Sequence, residues 1–297
     1  MIKEGSYVAL GSFDGIHMGH MSLINKTVEL ARNNNAKSVV YTFKNHPREV
    51  INKDASIELL MDNEEKYNVL KENNIDIIKF QEFDMDFMQK SSEEFVRDLV
   101  EEFNVKGIVV GFNYRFGYKN SGDVKLLEAL SKKYNYTLYV MPAFTYNNLV
   151  VSSTEIRNVI KEGNIEKANI MLGRAYMLHG IVERGKQIGR TIGFPTANLK
   201  YNNKKILPKE GVYYTEVKVN NNLYKAITNI GNNPTVNGSK LTVESYLLDF
   251  DEDIYDKEIQ VYFLKYIRGV HKFNSLDELK NQLEKDKNFA YNQKKYI

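Results

Sequence analysis

A chain of 297 residues, 42% hydrophobic and 27% charged, has the composition of an ordinary globular protein and room for two domains of about 100–200 residues each. Its 41 basic and 38 acidic residues leave a formal net charge of +3 with no massed basic stripe, which argues against a nucleic-acid partner. The absence of cysteine excludes disulfides, thiolate nucleophiles and Cys-ligated zinc. No apolar run approaches the about 18 residues of a membrane span, so a cytoplasmic chain with no membrane partner is expected.

In chain order, the first half alternates β-branched runs with helical patterns. Strands are predicted at YVAL from residue 7, SVVYTF from 38, DIIKF from 76, GIVVGF from 107 and TLYVMPAF from 137. Between them, Met21, Ile24, Val28 and Ala31 share one helical face, as do Phe95, Leu99 and Phe103. That alternation predicts a parallel sheet covered on both faces. Past about residue 175 the rhythm changes to strands and turns. GVYYTEVKV and LYKAITNIG flank an Asn-rich turn and read as a hairpin, while TVESYLLDF and EIQVYFLKYI flank the acidic loop DEDIYDK. The helix SLDELKNQLEKD closes the chain behind Ser275 and Glu278, which fit a capping box. This half is predicted to be a small, mostly antiparallel barrel. The change of period near MLGRAYMLHG divides the chain into 1–174 and 175–297. The NNN clusters at 33–35 and 220–222 read as turns, where Asn tolerates left-handed backbone.

The stretch VALGSFDGIHMGH, residues 8–20, places a glycine-rich turn between a strand and a helix and sets His17 and His20 on one side of the first turn. A metal site, a phosphate site and a packed pair compete for them. The metal reading lacks a third ligand, since His46, His179 and His271 have no ligand-like spacing. Gly11, Gly15 and Gly19 favour a phosphate, because glycine lets the backbone approach a bulky anion at a helix N-terminus. The chain carries neither GxxxxGK[ST] nor GxGxxG, so a nucleotide would need another phosphate device.

GSFDGIHMGH resembles the GxFDGxHxGH signature of the nucleotidyltransferase superfamily, and VSSTEIR at 151–157 is similar to its second signature. By that resemblance His17, His20, Ser153, Thr154 and Arg157 meet ATP phosphates, with Gly11, Phe13, Asp14, Gly15 and Gly19 forming the binding loop. Read on its own, VSSTEIR is a helix start with Ser152 and Glu155 as a capping box. VGFNYRFGYKNSGD at 110–123 resembles the loop of the bifunctional prokaryotic riboflavin kinase/FAD synthetases, with Asn113 and Tyr114 at characteristic places, and HPREV at 46 fits the same family. Phe112, Tyr114 and Phe116 would then wall the isoalloxazine.

GKQIGRTIGFPTANL at 185–199 resembles the riboflavin kinase signature, as do GVYYTEV, TNIGNNPTV and TVESYLLDF. The resemblance implies a Rossmann-like α/β nucleotidyltransferase domain followed by a riboflavin kinase barrel. ATP, riboflavin, FMN and FAD would be substrates or products, Mg²⁺ the metal, and the enzyme a monomer. Gly185, Gly189, Arg190 and Gly193 would lie over phosphates, Thr196 and Asn198 would offer hard oxygen ligands to Mg²⁺, and Asn229 and Arg268 would bind substrate. Glu244 would be the base, set by strand alternation among apolar groups with Tyr246 and Leu248. Relatives commonly carry R-x-E-x-x-F where this chain has IRGVHKF, with Val270 at the glutamate position. The rival readings are a single-function nucleotidyltransferase with a non-catalytic second domain and a non-catalytic flavin-binding protein.

Overall fold

Strand β1 (Ser6–Leu10) is buried at every position, as a central strand of a parallel sheet must be. The computed structural model describes residues 3–52, 57–185, 188–235 and 238–296; Lys186 and Gln187 of the kinase-like signature and Val236 of TNIGNNPTV lie outside them. The chain divides into two compact units, Met1–Ser153 and Thr154–Ile297.

In the first unit β1 is followed by α1 (Met18–Asn33), β2 (Lys37–Phe43), α2 (Pro47–Ile51), α3 (Asn63–Glu72), β3 (Ile77–Gln81), α4 (Met85–Gln89), α5 (Ser92–Phe103) and β4 (Val105–Gly111). A short 3-10 turn (Tyr118–Asn120), α6 (Val124–Tyr134), β5 (Thr137–Met141) and the small hairpin β6 (Thr145–Tyr146) and β7 (Leu149–Val150) complete it. The five long strands are parallel in the order β3-β2-β1-β4-β5. Period-two alternation splits the strands between two cores. Val8, Leu10, Ile108 and Val110 pack with Phe95, Leu99 and Phe103 on one face. Ala9 and Val109 pack with Ile24 and Ala31 on the other. The strand expected over TLYVMPAF ends at Met141, because Pro142 has no N–H to extend a ladder. Asn35, Asn104, Asn135 and Asn220 all adopt left-handed backbone, so the asparagines do close turns and helices.

The second unit opens with α7 (Ser153–Lys161, which starts on the last residue of the first unit) and α8 (Ile165–Leu172). Then come β8 (Tyr176–Glu183), α9 (Ile188–Thr191), β9 (Ala197–Tyr201), β10 (Gly211–Val219), β11 (Asn222–Thr235), β12 (Gly238–Leu247), β13 (Glu258–Arg268) and α10 (Leu276–Tyr291). The strands close an antiparallel barrel in the order β10-β11-β12-β9-β8-β13. Consequently β12 and β13, which flank the acidic loop, are not neighbours. Inside the barrel the fully buried hydroxyls of Thr215, Thr228 and Ser245 satisfy one another at 2.7 and 2.8 Å.

The rhythm change at 174/175 falls within this unit, because α8 packs on β13 and β8. Buried Asn169 clips it there: its Nδ2 donates to the Phe263 carbonyl at 2.8 Å, and its Oδ1 accepts from the Tyr176 N–H at 2.7 Å. At the head of α10, Ser275 accepts from the Glu278 N–H as expected, but the Glu278 carboxylate reaches one residue further back, to the Asn274 N–H.

Candidate active sites

The sheet of the first unit reverses its strand order between β1 and β4, and the loops leaving the carboxyl ends of those adjacent strands are GSFDGIH and GFNY. A ligand crevice belongs at such a switch point. The loop after β1 is wound tightly: Phe13, Gly15 and Ile16 all have left-handed φ, of 47°, 80° and 35°. For a β-branched residue such as Ile16 that is a strained backbone. It is held by burial and by bonds. Phe13 and Ile16 are fully buried, and the Asp14 carboxylate, itself buried, accepts from the Leu60 N–H at 3.1 Å. Phe13 and Asp14, expected to touch nucleotide, have side chains buried within the loop.

His17 caps α1: its Nδ1 accepts from the His20 N–H at 3.3 Å. An Nδ1 that accepts carries no proton, which leaves Nε2–H as the ring's donor. The two imidazoles stack with centroids 3.7 Å apart, and Phe13 meets His20 edge-on at 5.2 Å. Gly19 makes this possible, since a Cβ there would lie 3.1 Å from His17 Cε1 and 3.2 Å from its Nδ1. The stacked pair stands at a helix N-terminus, a place that suits an anion.

The second signature reaches the same loop through its serine: Ser153 Oγ donates to the Asp14 carbonyl at 2.9 Å. Thr154, exposed, and Arg157, half-buried, stand on α7 above a buried stripe of Ile156, Val159 and Ile160 and belong to the second unit. Beyond β4, Asn113 is exposed and Tyr114 half-buried. Phe116 is a core residue, stacked on Tyr114 at 5.6 Å and packed on Phe95 at 5.8 Å, so of the expected aromatic wall Phe112 alone is fully open.

In the barrel, strand register gathers residues far apart in sequence. Asn198 on β9 lies opposite Glu244 on β12, which lies opposite Asn229 on β11. Because Ser245 and Thr228 point into the barrel, this row lies on its outer wall. Glu244 Oε1 accepts from the Thr242 hydroxyl at 3.2 Å, so the glutamate sits in a polar row and not among the apolar groups expected. Gly185 presses its backbone onto the Asn198 amide, where a Cβ would come within 2.3 Å of Nδ2. Here a cleft of about 290 Å³ is lined by Gly185, Asn198, Tyr201, Leu241 and Thr242. Gly189 is equally constrained, by the Phe194 carbonyl at 2.2 Å from its Cβ position, and Gly193 is left-handed at φ 86°. Thr196 is half-buried and Arg190 exposed. Arg268 is occupied elsewhere. Its Nε and Nη2 donate to Asp286 at 3.0 and 2.7 Å, tying β13 to α10. Val270 is exposed.

Family models match both halves of the chain. The FAD synthetase family model matches residues 1–155 and the riboflavin kinase family model residues 172–293. A bifunctional riboflavin kinase/FMN adenylyltransferase of Bacillus subtilis (strain 168) is 34% identical over 298 residues, covering 98% of this chain and 94% of that one. The chain belongs to the bifunctional riboflavin kinase/FMN adenylyltransferase family. The Escherichia coli (strain K12) member is 35% identical over 286 residues, covering 96% of this chain and 91% of its own. A solved structure described as a macrolide-efflux protein from Streptococcus pneumoniae has a TM-score of 0.92 at 32% identity, covering 99% of this chain and 96% of that one. The efflux description stays with that protein; among the described residues here no helix is long and apolar enough to cross a membrane.

Two residues beside these sites escape sequence reasoning. Thr242, two positions from Glu244, is visible as a same-face neighbour only once the strand is known. Lys66 on α3 is buried beneath the loop after β1, and its one sequence signal is its place four residues before buried Leu70, on the apolar face of the helix.

Proposed function

We propose that the second unit transfers the γ-phosphoryl group of ATP to the ribityl 5′-hydroxyl of riboflavin, giving FMN and ADP. The first unit then joins AMP from a second ATP to the FMN phosphate, releasing pyrophosphate. The observation that carries the reading is the cross-strand row Asn198, Glu244 and Asn229, since register alone brings a carboxylate and two amides from three segments side by side on the barrel's outer wall, with Asn198 lining the cleft. Glu244 acts as the base, taking the proton of the attacking hydroxyl, and Thr242 fixes its orientation. The glycines at 185, 189 and 193 let the chain lie close to phosphates, and Arg190 and Asn229 bind substrate.

The oxygens of Asn198, which lies opposite Glu244, and of Thr196, two residues earlier in the chain, are hard donors and fit Mg²⁺, which takes few protein ligands and keeps its waters. When bound, the ion neutralises charge on the transferring phosphates. In the first unit no protein nucleophile is needed. The FMN phosphate attacks the α-phosphorus, while His17 and His20 donate to the phosphoryl oxygens and stabilise the added charge. Ser153 joins them through its bond to the loop; Thr154 and Arg157, with Asn113 and Tyr114 beside the flavin, enter on the resemblance.

The test feeds each step separately. Glu244→Gln should lose FMN formation by roughly 10²–10⁴-fold and keep FAD formation from supplied FMN. His20→Ala should do the reverse, losing about 10²-fold in FAD formation. Equal loss of both activities in either variant contradicts the assignment.

A further inference from the structure

Lys66 is 6% exposed, yet its hydrogen-bond partners are neutral: Nζ donates to the Ser12 carbonyl at 3.0 Å and to Thr42 Oγ1 at 3.4 Å. Thr42 donates to the same carbonyl at 2.9 Å, and the face of Phe80 lies 6.0 Å from the ammonium. Ser12 begins the left-handed turn that delivers His17 and His20. The charged groups that act on the amine are Asp14 from that loop and Asp62 at the head of α3; β2 and β3 contribute only Thr42 and Phe80. Burial pushes the amine down to about 8, with the two aspartates pulling the other way. The two carboxylates act on the charge without bonding to it, so the direct bonds of the ammonium are spent on the Ser12 carbonyl and Thr42.

We propose that Lys66 is a positioning residue for adenylyl transfer, whose ammonium fixes the Ser12 carbonyl and so the histidine loop. The inference rests on the reading of the first unit as the adenylyltransferase. Unlike packing, this role depends on the proton. In the free enzyme Lys66 is charged below about 8 and neutral above it, so activity that depends on the charge fades as pH rises through that value.

The experiment measures kcat/KM for ATP in FAD formation from supplied FMN between pH 6.5 and 9.5, in the full chain and in Lys66→Met, which keeps the length and removes charge and donors. The wild type should lose activity on an alkaline limb near pH 8. Lys66→Met should be about 10-fold or more slower at pH 7 with that limb gone, while riboflavin phosphorylation is unchanged. A wild-type profile flat from pH 7 to 9 overturns the proposal, and so does a variant that keeps the limb. Should Lys66→Met fail to fold, the ¹³Cε resonance of Lys66 in the wild type, assigned with Lys66→Arg, decides. Its titration should coincide with the alkaline limb of the activity, and a titration that does not coincide with it overturns the proposal. A wild type that makes no FAD from FMN at any pH rejects the adenylyltransferase reading itself, a separate outcome.

Discussion

Gly19→Ala separates catalysis from stability in the first unit. The new Cβ would lie 3.1 Å from His17 Cε1 and 3.2 Å from Nδ1, so the imidazole must yield by a few tenths of an ångström. The capping bond from the His20 N–H is already 3.3 Å long, at the far end of the useful range, and the same displacement breaks it. Loss of a side-chain cap costs about 1 kcal/mol. Replacing glycine by alanine in a helix returns up to about 1 kcal/mol. The two nearly cancel, so the melting temperature should move by no more than about 4 °C in either direction. The chemistry has no such compensation: with Nδ1 released, neither the tautomer nor the aim of the Nε2–H is fixed. FAD formation from supplied FMN should fall by about 10²-fold, the scale of one lost oxyanion donor. Steady-state rates with supplied FMN, alongside riboflavin phosphorylation as the internal control, make the measurement. Near-wild-type FAD formation in a folded variant would refute the reasoning, and so would a loss that merely tracks unfolding.

Asp286→Ala should destabilise the second unit by about 2 kcal/mol in denaturant melts, less than the roughly 3–5 kcal/mol of a fully buried pair because the Arg268 side chain is 21% exposed. If Arg268 is a strut, the KM for riboflavin stays near wild type in the folded variant. In the first unit, burial works to raise the Asp76 carboxyl, but the Ser38 N–H and hydroxyl and the Arg32 guanidinium together outweigh it and hold the group below its ordinary value. Its contribution is therefore complete above the unfolded value of about 4 and fades as pH falls through the depressed one. The stability gap between wild type and Asp76→Asn should be present at pH 7 and shrink below pH ~4. A fragment of residues 154–297 should melt higher than one of residues 175–297, which lacks Asn169 and the buried Ile165, Ala168, Met171 and Leu172. Both should convert riboflavin to FMN, as expected if kinase chemistry lies beyond Arg174.

Most of the fold is legible in the sequence because period survives without partners. The alternation of β-branched runs with the Met21, Ile24 and Ala31 face is enough to give a parallel sheet, and the asparagines mark turns they do close. What stays hidden is set by register and burial. No local pattern says that Asn198, Glu244 and Asn229 share a row, or that β12 and β13 are separated in the barrel. Nor does spacing reveal that Arg268 pairs with Asp286, which sits on a different element. Phe13 and Phe116 fall inside signature loops, and only packing assigns them to the core. The boundary at 174/175 marks where strands begin, whereas α7 and α8 join the barrel through contacts such as Asn169 that carry no periodic signal.

The most direct measurement incubates the purified full chain with riboflavin, ATP and Mg²⁺ and follows flavins and pyrophosphate together in time. The account predicts that FMN rises first and is then converted to FAD, with one pyrophosphate released per FAD formed. A single-function transferase would make FAD only when FMN is supplied, and a flavin-binding protein would make neither. Either result would contradict the account.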